Sequence, residues 1–160
     1  MLRYQENNEL HLDFHGTTNT TLTYIAENYG VDALRMILRK TGREVYRSIR
    51  DKLASGDASE LIEHLNWFFY REKGKYRLSV TENEIILEVL ECPAHRHLKK
   101  LGLKISEYSC LQTEEVNAGM CENTPWRSKV EIIGEGHCIQ TFTKEASLCS
   151  TLPGSQHPRT

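Results

Sequence analysis

Three cysteines in the second half of the chain could form a chemical site. Cys92 stands in the segment Glu-Cys-Pro-Ala-His, Cys110 follows Tyr-Ser, and Cys138 ends the segment Gly-Glu-Gly-His-Cys, whereas residues 1–91 contain no cysteine. A thiolate both binds metal ions and attacks electrophiles, so cysteines that gather near turns indicate sulfur chemistry. Their spacings of 18 and 28 residues match no compact zinc finger or ribbon. Three small buried hydrophobic side chains are the alternative interpretation.

The predicted helices favour the thiolate form of two of these cysteines. Cys92 directly precedes a short helix that Pro93 opens, and Cys110 directly precedes a helix predicted for residues 111–122. The first backbone N–H groups of a helix have no intrahelical acceptor, so they stabilise a nearby thiolate. Both cysteines are therefore candidate nucleophiles as well as candidate metal ligands.

Histidine is the natural fourth partner of the three cysteines. His95 follows Cys92 by three residues and should share its side of the short helix. His15 precedes the first predicted helix, from where it could reach a shared pocket. Either histidine could act as a general base for the attacking thiol. The predicted ligands of a zinc or iron ion are Cys92, Cys110, Cys138 and His95.

The other two cysteines are assigned to different parts of the chain. Cys121 lies late in the predicted helix, about 16 Å from Cys110 at roughly 1.5 Å of rise per residue, and is expected in the core. Cys149 falls in residues 146–160, where Ser, Thr, Pro and Gly predominate and predict a disordered tail. Residues 1–145 are predicted to form a single domain.

Hydrophobic periodicity predicts an α+β fold. The spacing of apolar residues is helical from residue 17 to about 72, and two β-hairpins follow, at residues 77–90 and 129–143. We expect an N-terminal helical block packed on an antiparallel sheet of two hairpins, with short helices between them. The aromatic run at residues 67–70 has two interpretations, as ordinary core or as the wall of an apolar ligand pocket.

Composition and charge restrict the partners. The chain has 160 residues and a formal net charge of −2, with basic residues scattered among acidic ones, so nucleic acid is not an expected partner. The N-terminus lacks the apolar run of a signal peptide, and no stretch reaches membrane-spanning length. The sequence therefore predicts a cytoplasmic protein with no nucleic-acid or membrane partner.

Several short motifs, taken in order, resemble a known family. They are Asp-Phe-His-Gly-Thr from Asp13, His-Leu-Asn-Trp-Phe-Phe from His64, Glu-Cys-Pro-Ala-His around Cys92, Ser-Cys-Leu-Gln-Thr with Asn117 after it, and Gly-Glu-Gly-His-Cys. Their order is similar to that of the L-2-amino-thiazoline-4-carboxylic acid hydrolase-like family and, more distantly, to the 4-vinyl reductase small-molecule-binding domains. The similarity covers roughly residues 10–144.

The resemblance implies two functions. The first is a hydrolase that opens a small cyclic C–N substrate, with Cys92 or Cys110 as nucleophile or with a thiolate-bound zinc ion that activates water. The second is a binding or sensory module in which the cysteines hold a metal and an apolar pocket takes a ligand. The resemblance also implies a homodimer. A protein with neither metal nor ligand is the third possibility.

Overall fold

The computed structural model describes residues 13–145, which form an α+β fold, as expected. Cys149 and the predicted tail lie outside the described residues. The helices and strands follow in the order α1 (Asp13–Tyr29), α2 (Val31–Glu44), α3 (Arg47–Ala54), α4 (Ser59–Arg71), β1 (Lys75–Val80), β2 (Glu84–Glu91), α5 (Pro93–Lys100), α6 (Ser109–Cys121), β3 (Trp126–Gly134) and β4 (His137–Lys144).

Glycine and proline mark several of the element boundaries. Gly30 separates α1 from α2 with a φ of 89°, a conformation that costs glycine little. Pro93 is the first residue of α5, and Gly102 follows the end of that helix with a φ of 68°. The first helix begins at Asp13, four residues before the predicted start, so His15 lies inside α1 rather than ahead of it.

The two hairpins join into one antiparallel sheet in the order β1-β2-β4-β3. Burial alternates along β2, where Ile85, Leu87 and Val89 form the face that packs against the helices. Val89 pairs with Cys138 and Leu87 pairs with Gln140 across the central strands. Directly paired residues share a face of the sheet, so Cys138 and Gln140 point toward the helical layer.

Helices α2 and α6 cross at two glycines, and this crossing positions α6. A Cβ atom built on Gly42 would lie 2.2 Å from the Val116 carbonyl oxygen, and one built on Gly119 would lie 2.2 Å from the Arg39 carbonyl oxygen. Next to the crossing, the buried carboxyl group of Glu115 accepts hydrogen bonds from Arg39 at 2.7 and 2.9 Å and from Arg35. Backbone contact and charge together hold α6 against α2.

The predicted core position of Cys121 is confirmed, because its side chain is buried among the apolar core residues. Within residues 13–145, none of the helices has the length and hydropathy required to cross a lipid bilayer.

Candidate functional site

The three candidate cysteines converge on one cavity of about 200 Å³, which we call the thiol cavity. It lies between helices α1, α4, α5 and α6 and the inner face of β2 and β4. Cys92 reaches it from the start of α5, Cys110 from α6 and Cys138 from β4, and His15 and His95 line the same space. The structure therefore brings together every residue that was predicted for the site.

Cys92 is the N-cap of α5, as the sequence predicts. Its backbone N–H donates to the Gly136 carbonyl at 2.8 Å, which ties the start of α5 to the β3–β4 turn. Burial raises the pKa of the Cys92 thiol, although the N–H groups of Ala94 and His95 lie against the sulfur and act in the opposite direction. Desolvation has a larger effect on the Cys92 pKa than the N–H groups at the start of α5, so the expected thiolate is disfavoured.

Cys110 is the second residue of α6 rather than the residue before it, because the helix begins at Ser109, two residues before the predicted start. The Ser109 hydroxyl links two predicted site residues. Its Oγ lies 3.0 Å from Nε2 of His95 and 3.9 Å from Sγ of Cys110. The arrangement offers a path for a proton between thiol and imidazole, since a hydroxyl both donates and accepts.

Cys138 faces the cavity beside a buried pair of amides. Asn117 Nδ2 donates to Gln140 Oε1 at 2.9 Å, and Gln140 Nε2 lies 3.9 Å from the Cys138 sulfur. Burial raises the pKa of the Cys138 thiol to about 11, so this thiol is protonated at neutral pH.

The sequence did not single out Ser109 or Gln140 as site residues. Ser109 adjoins Cys110 at a helix start, where a hydroxyl residue is common, and this signal could have suggested it. Gln140 follows Cys138 by two residues in the same predicted strand. Because alternate residues of a strand share a face, Gln140 could have been assigned to the face of Cys138.

His15 forms a buried pair with Glu72 at the α1 side of the cavity. The two side chains lie 3.2 Å apart between Nε2 and Oε2, and both residues are buried. Burial lowers the pKa of His15, although the Glu72 carboxyl acts to raise it. Glu72 fixes the imidazole orientation, which makes His15 a positioned part of the wall.

The four aromatic residues at positions 67–70 lie on different faces of helix α4. Phe68 and Phe69 line the thiol cavity together with His64, whereas Trp67 and Tyr70 point away from it and are exposed. Residues four apart share a helix face, so His64 and Phe68 lie side by side. Burial lowers the pKa of His64 to about 4. Two of the four aromatic residues, Phe68 and Phe69, therefore form part of the pocket wall.

The donor atoms suit zinc or iron in type but not in placement. Thiol and imidazole groups are the ligands that zinc takes. Within residues 13–145, however, no group of three or more His, Cys, Asp or Glu side chains is arranged so that it could hold a metal ion. We therefore derive no chemistry from a metal, and the predicted zinc or iron ion stays a prediction.

Comparison with protein-family models, with curated proteins and with solved structures found no match for this chain. The resemblance to the hydrolase-like family stays a prediction, as does the homodimer.

Proposed function

We propose that this protein binds a small, ring-sized organic molecule in the thiol cavity. The observation that supports the proposal is the enclosure of three thiols and four histidines by aromatic and aliphatic walls. Small-molecule sites have this composition, with largely apolar walls and a few polar groups that orient the ligand. A cavity of about 150 Å³ takes up benzene in another protein, so about 200 Å³ suits a single small ring with one substituent.

Hydrolysis of a cyclic C–N bond is the second candidate, favoured by the His95–Ser109–Cys110 arrangement. Cys110 Sγ would bond to the ring carbon of a C=N group while its proton passes through the Ser109 hydroxyl to His95 and then to the ring nitrogen. Water would replace the sulfur at that carbon and give one proton to the thiolate, which restores the thiol. The ring C–N bond would then break as the new hydroxyl group becomes a carbonyl and its proton passes to the ring nitrogen. Burial raises the pKa of the Cys92 thiol, which disfavours Cys92 as the nucleophile.

One experiment tests both candidates. The protein is treated with iodoacetamide in the presence of small ring compounds, including 2-aminothiazoline-4-carboxylate and its carboxamide, and the alkylation of each cysteine is measured by peptide mass spectrometry. Binding predicts that a ring compound slows the alkylation of Cys110 at least tenfold. An unchanged rate with every compound would refute binding.

Ring opening is followed in the same samples. We expect Cys110→Ala to abolish it and Cys121→Ala, whose side chain lies in the core, to retain it. Turnover that survives both Cys110→Ala and Cys92→Ala would remove the thiol nucleophile.

A further inference from the structure

The side chains that line the thiol cavity carry no permanent charge. Among residues 13–145, none of the side chains that line it is Lys, Arg, Asp or Glu. Its polar groups are thiols, hydroxyls, amides and imidazoles, and they include the side chains of Ser109, Asn117 and Gln140. A charge that enters a desolvated site needs a fixed opposite charge, and these groups offer only hydrogen bonds.

Four histidines line the wall, and none of them offers a free positive charge to a ligand. One of them, His137, lies 3.5 Å from Oε1 of Glu88, a carboxyl group that does not attract an anion. Burial is the largest influence on His15, His64 and His95, and it lowers the pKa of each. The ionic groups near His95 cancel, because Lys99 and Glu135 pair with each other at 3.0 Å. The carboxyl group of Glu72 lies 3.2 Å from the His15 ring and does not attract an anion.

The starts of α5 and α6 face the cavity, and both are poor substitutes for a cation. The partial charge of a helix N-terminus is about half an elementary charge. At α5 the first N–H groups already lie against the Cys92 sulfur. At α6 the N–H of Ser109 donates to the Ser106 carbonyl at 3.1 Å.

We propose that the thiol cavity selects uncharged ligands, namely small rings that carry a neutral hydrogen-bonding group such as an amide, an amine of low basicity or a hydroxyl. The inference rests on the proposed binding function and narrows its ligand class. It also departs from the resemblance, since 2-aminothiazoline-4-carboxylate carries an anionic group. The corresponding carboxamide fits the wall better.

Benzamide and benzoate test this selection, because they have nearly the same shape and differ in charge. Their dissociation constants are measured by ligand-observed NMR at pH 7.5. We expect benzoate to bind at least tenfold more weakly than benzamide. Benzoate that binds as well as benzamide would overturn the selection and leave the binding function intact. Failure of both compounds, and of the thiazoline pair, to bind at millimolar concentration would overturn the binding function and the inference with it.

A charged wall should weaken the preference for benzamide over benzoate. Thr113 lines the cavity on α6 and is only partly buried, so Thr113→Lys can place an ammonium group beside the cavity without removing it fully from solvent. We expect this variant to bind benzoate at least fivefold more tightly and benzamide within twofold of the unchanged protein. Glu114→Gln is the matched control, because it makes the same change in net charge at an exposed position outside the cavity wall. An equal gain in benzoate affinity in both variants would show a long-range charge effect and contradict the role of the cavity wall.

Discussion

At the residue scale, burial decides the chemistry of the site more strongly than local sequence does. Cys92 has the helix start that the sequence predicts, yet its pKa is raised because desolvation disfavours the thiolate. Cys138 and Cys121 show the same effect, with pKa values of about 11. His15, His64 and His95 respond in the opposite direction, since burial lowers their pKa by disfavouring the charged form. The cavity is thus a neutral, thiol-rich environment.

The partly buried His64 predicts a dependence of stability on pH. Its pKa is about 4 in the folded chain and 6.5 in a model peptide, so the unfolded chain binds the proton first as the pH falls. The stability that the neutral His64 ring contributes is complete above pH 6.5 and is lost between pH 6.5 and about 4. A shift of this size corresponds to about 3 kcal/mol.

We expect the free energy of unfolding to fall less steeply in His64→Phe than in the unchanged protein over this range, measured by urea denaturation from pH 7.5 to 4.5. Phenylalanine keeps the ring contacts with Tyr46 and Phe68 and removes the titration. Parallel pH profiles for the two proteins would contradict the burial of a neutral imidazole.

At the element scale, the position of α6 determines whether the site forms. This helix carries Ser109, Cys110 and Asn117 and is held at the glycine crossing with α2. A helix that moved away from α2 would carry these three residues with it, whereas His95 on α5 would stay tied to the β3–β4 turn.

Gly119→Ala should separate the two helices. The added methyl group would lie 2.2 Å from the Arg39 carbonyl oxygen, a backbone atom that cannot rotate away. We expect destabilisation of about 1–3 kcal/mol or more, as overpacked sites show, measured by urea denaturation. Gly16→Ala is the matched control in α1, where the nearest atom is 4.0 Å away, and should be neutral or stabilise by about 0.5–1 kcal/mol. Equal stability of both variants would be incompatible with the close crossing.

At the scale of the whole molecule, the thiol cavity joins the helical layer to the sheet. Its three cysteines come from α5, α6 and β4, elements that are distant in sequence. Anything bound to all three would cross-link the layers.

This consequence gives the metal prediction a test. The resemblance predicts about one equivalent of zinc or iron in protein purified without added metal, absent from Cys110→Ala and retained in Cys121→Ala, measured by elemental analysis. A bound ion would also make the unfolding temperature sensitive to a chelator. Metal-free unchanged protein would contradict the prediction and leave the thiols as contacts for a ligand.

The sequence by itself determined the α+β class, both hairpins, the core position of Cys121 and the residues that converge on the site. These features follow from local patterns, namely apolar periodicity, turn residues and helix starts, which assign an element and a face. The tertiary structure alone decided that Ser109 connects His95 to Cys110, that Asn117 meets Gln140, and that the described cavity wall lacks ionic side chains. It also decided which side chains lose their solvent and shift their pKa. Burial and contacts between elements depend on packing among residues far apart in the chain, and local patterns carry no information on those distances.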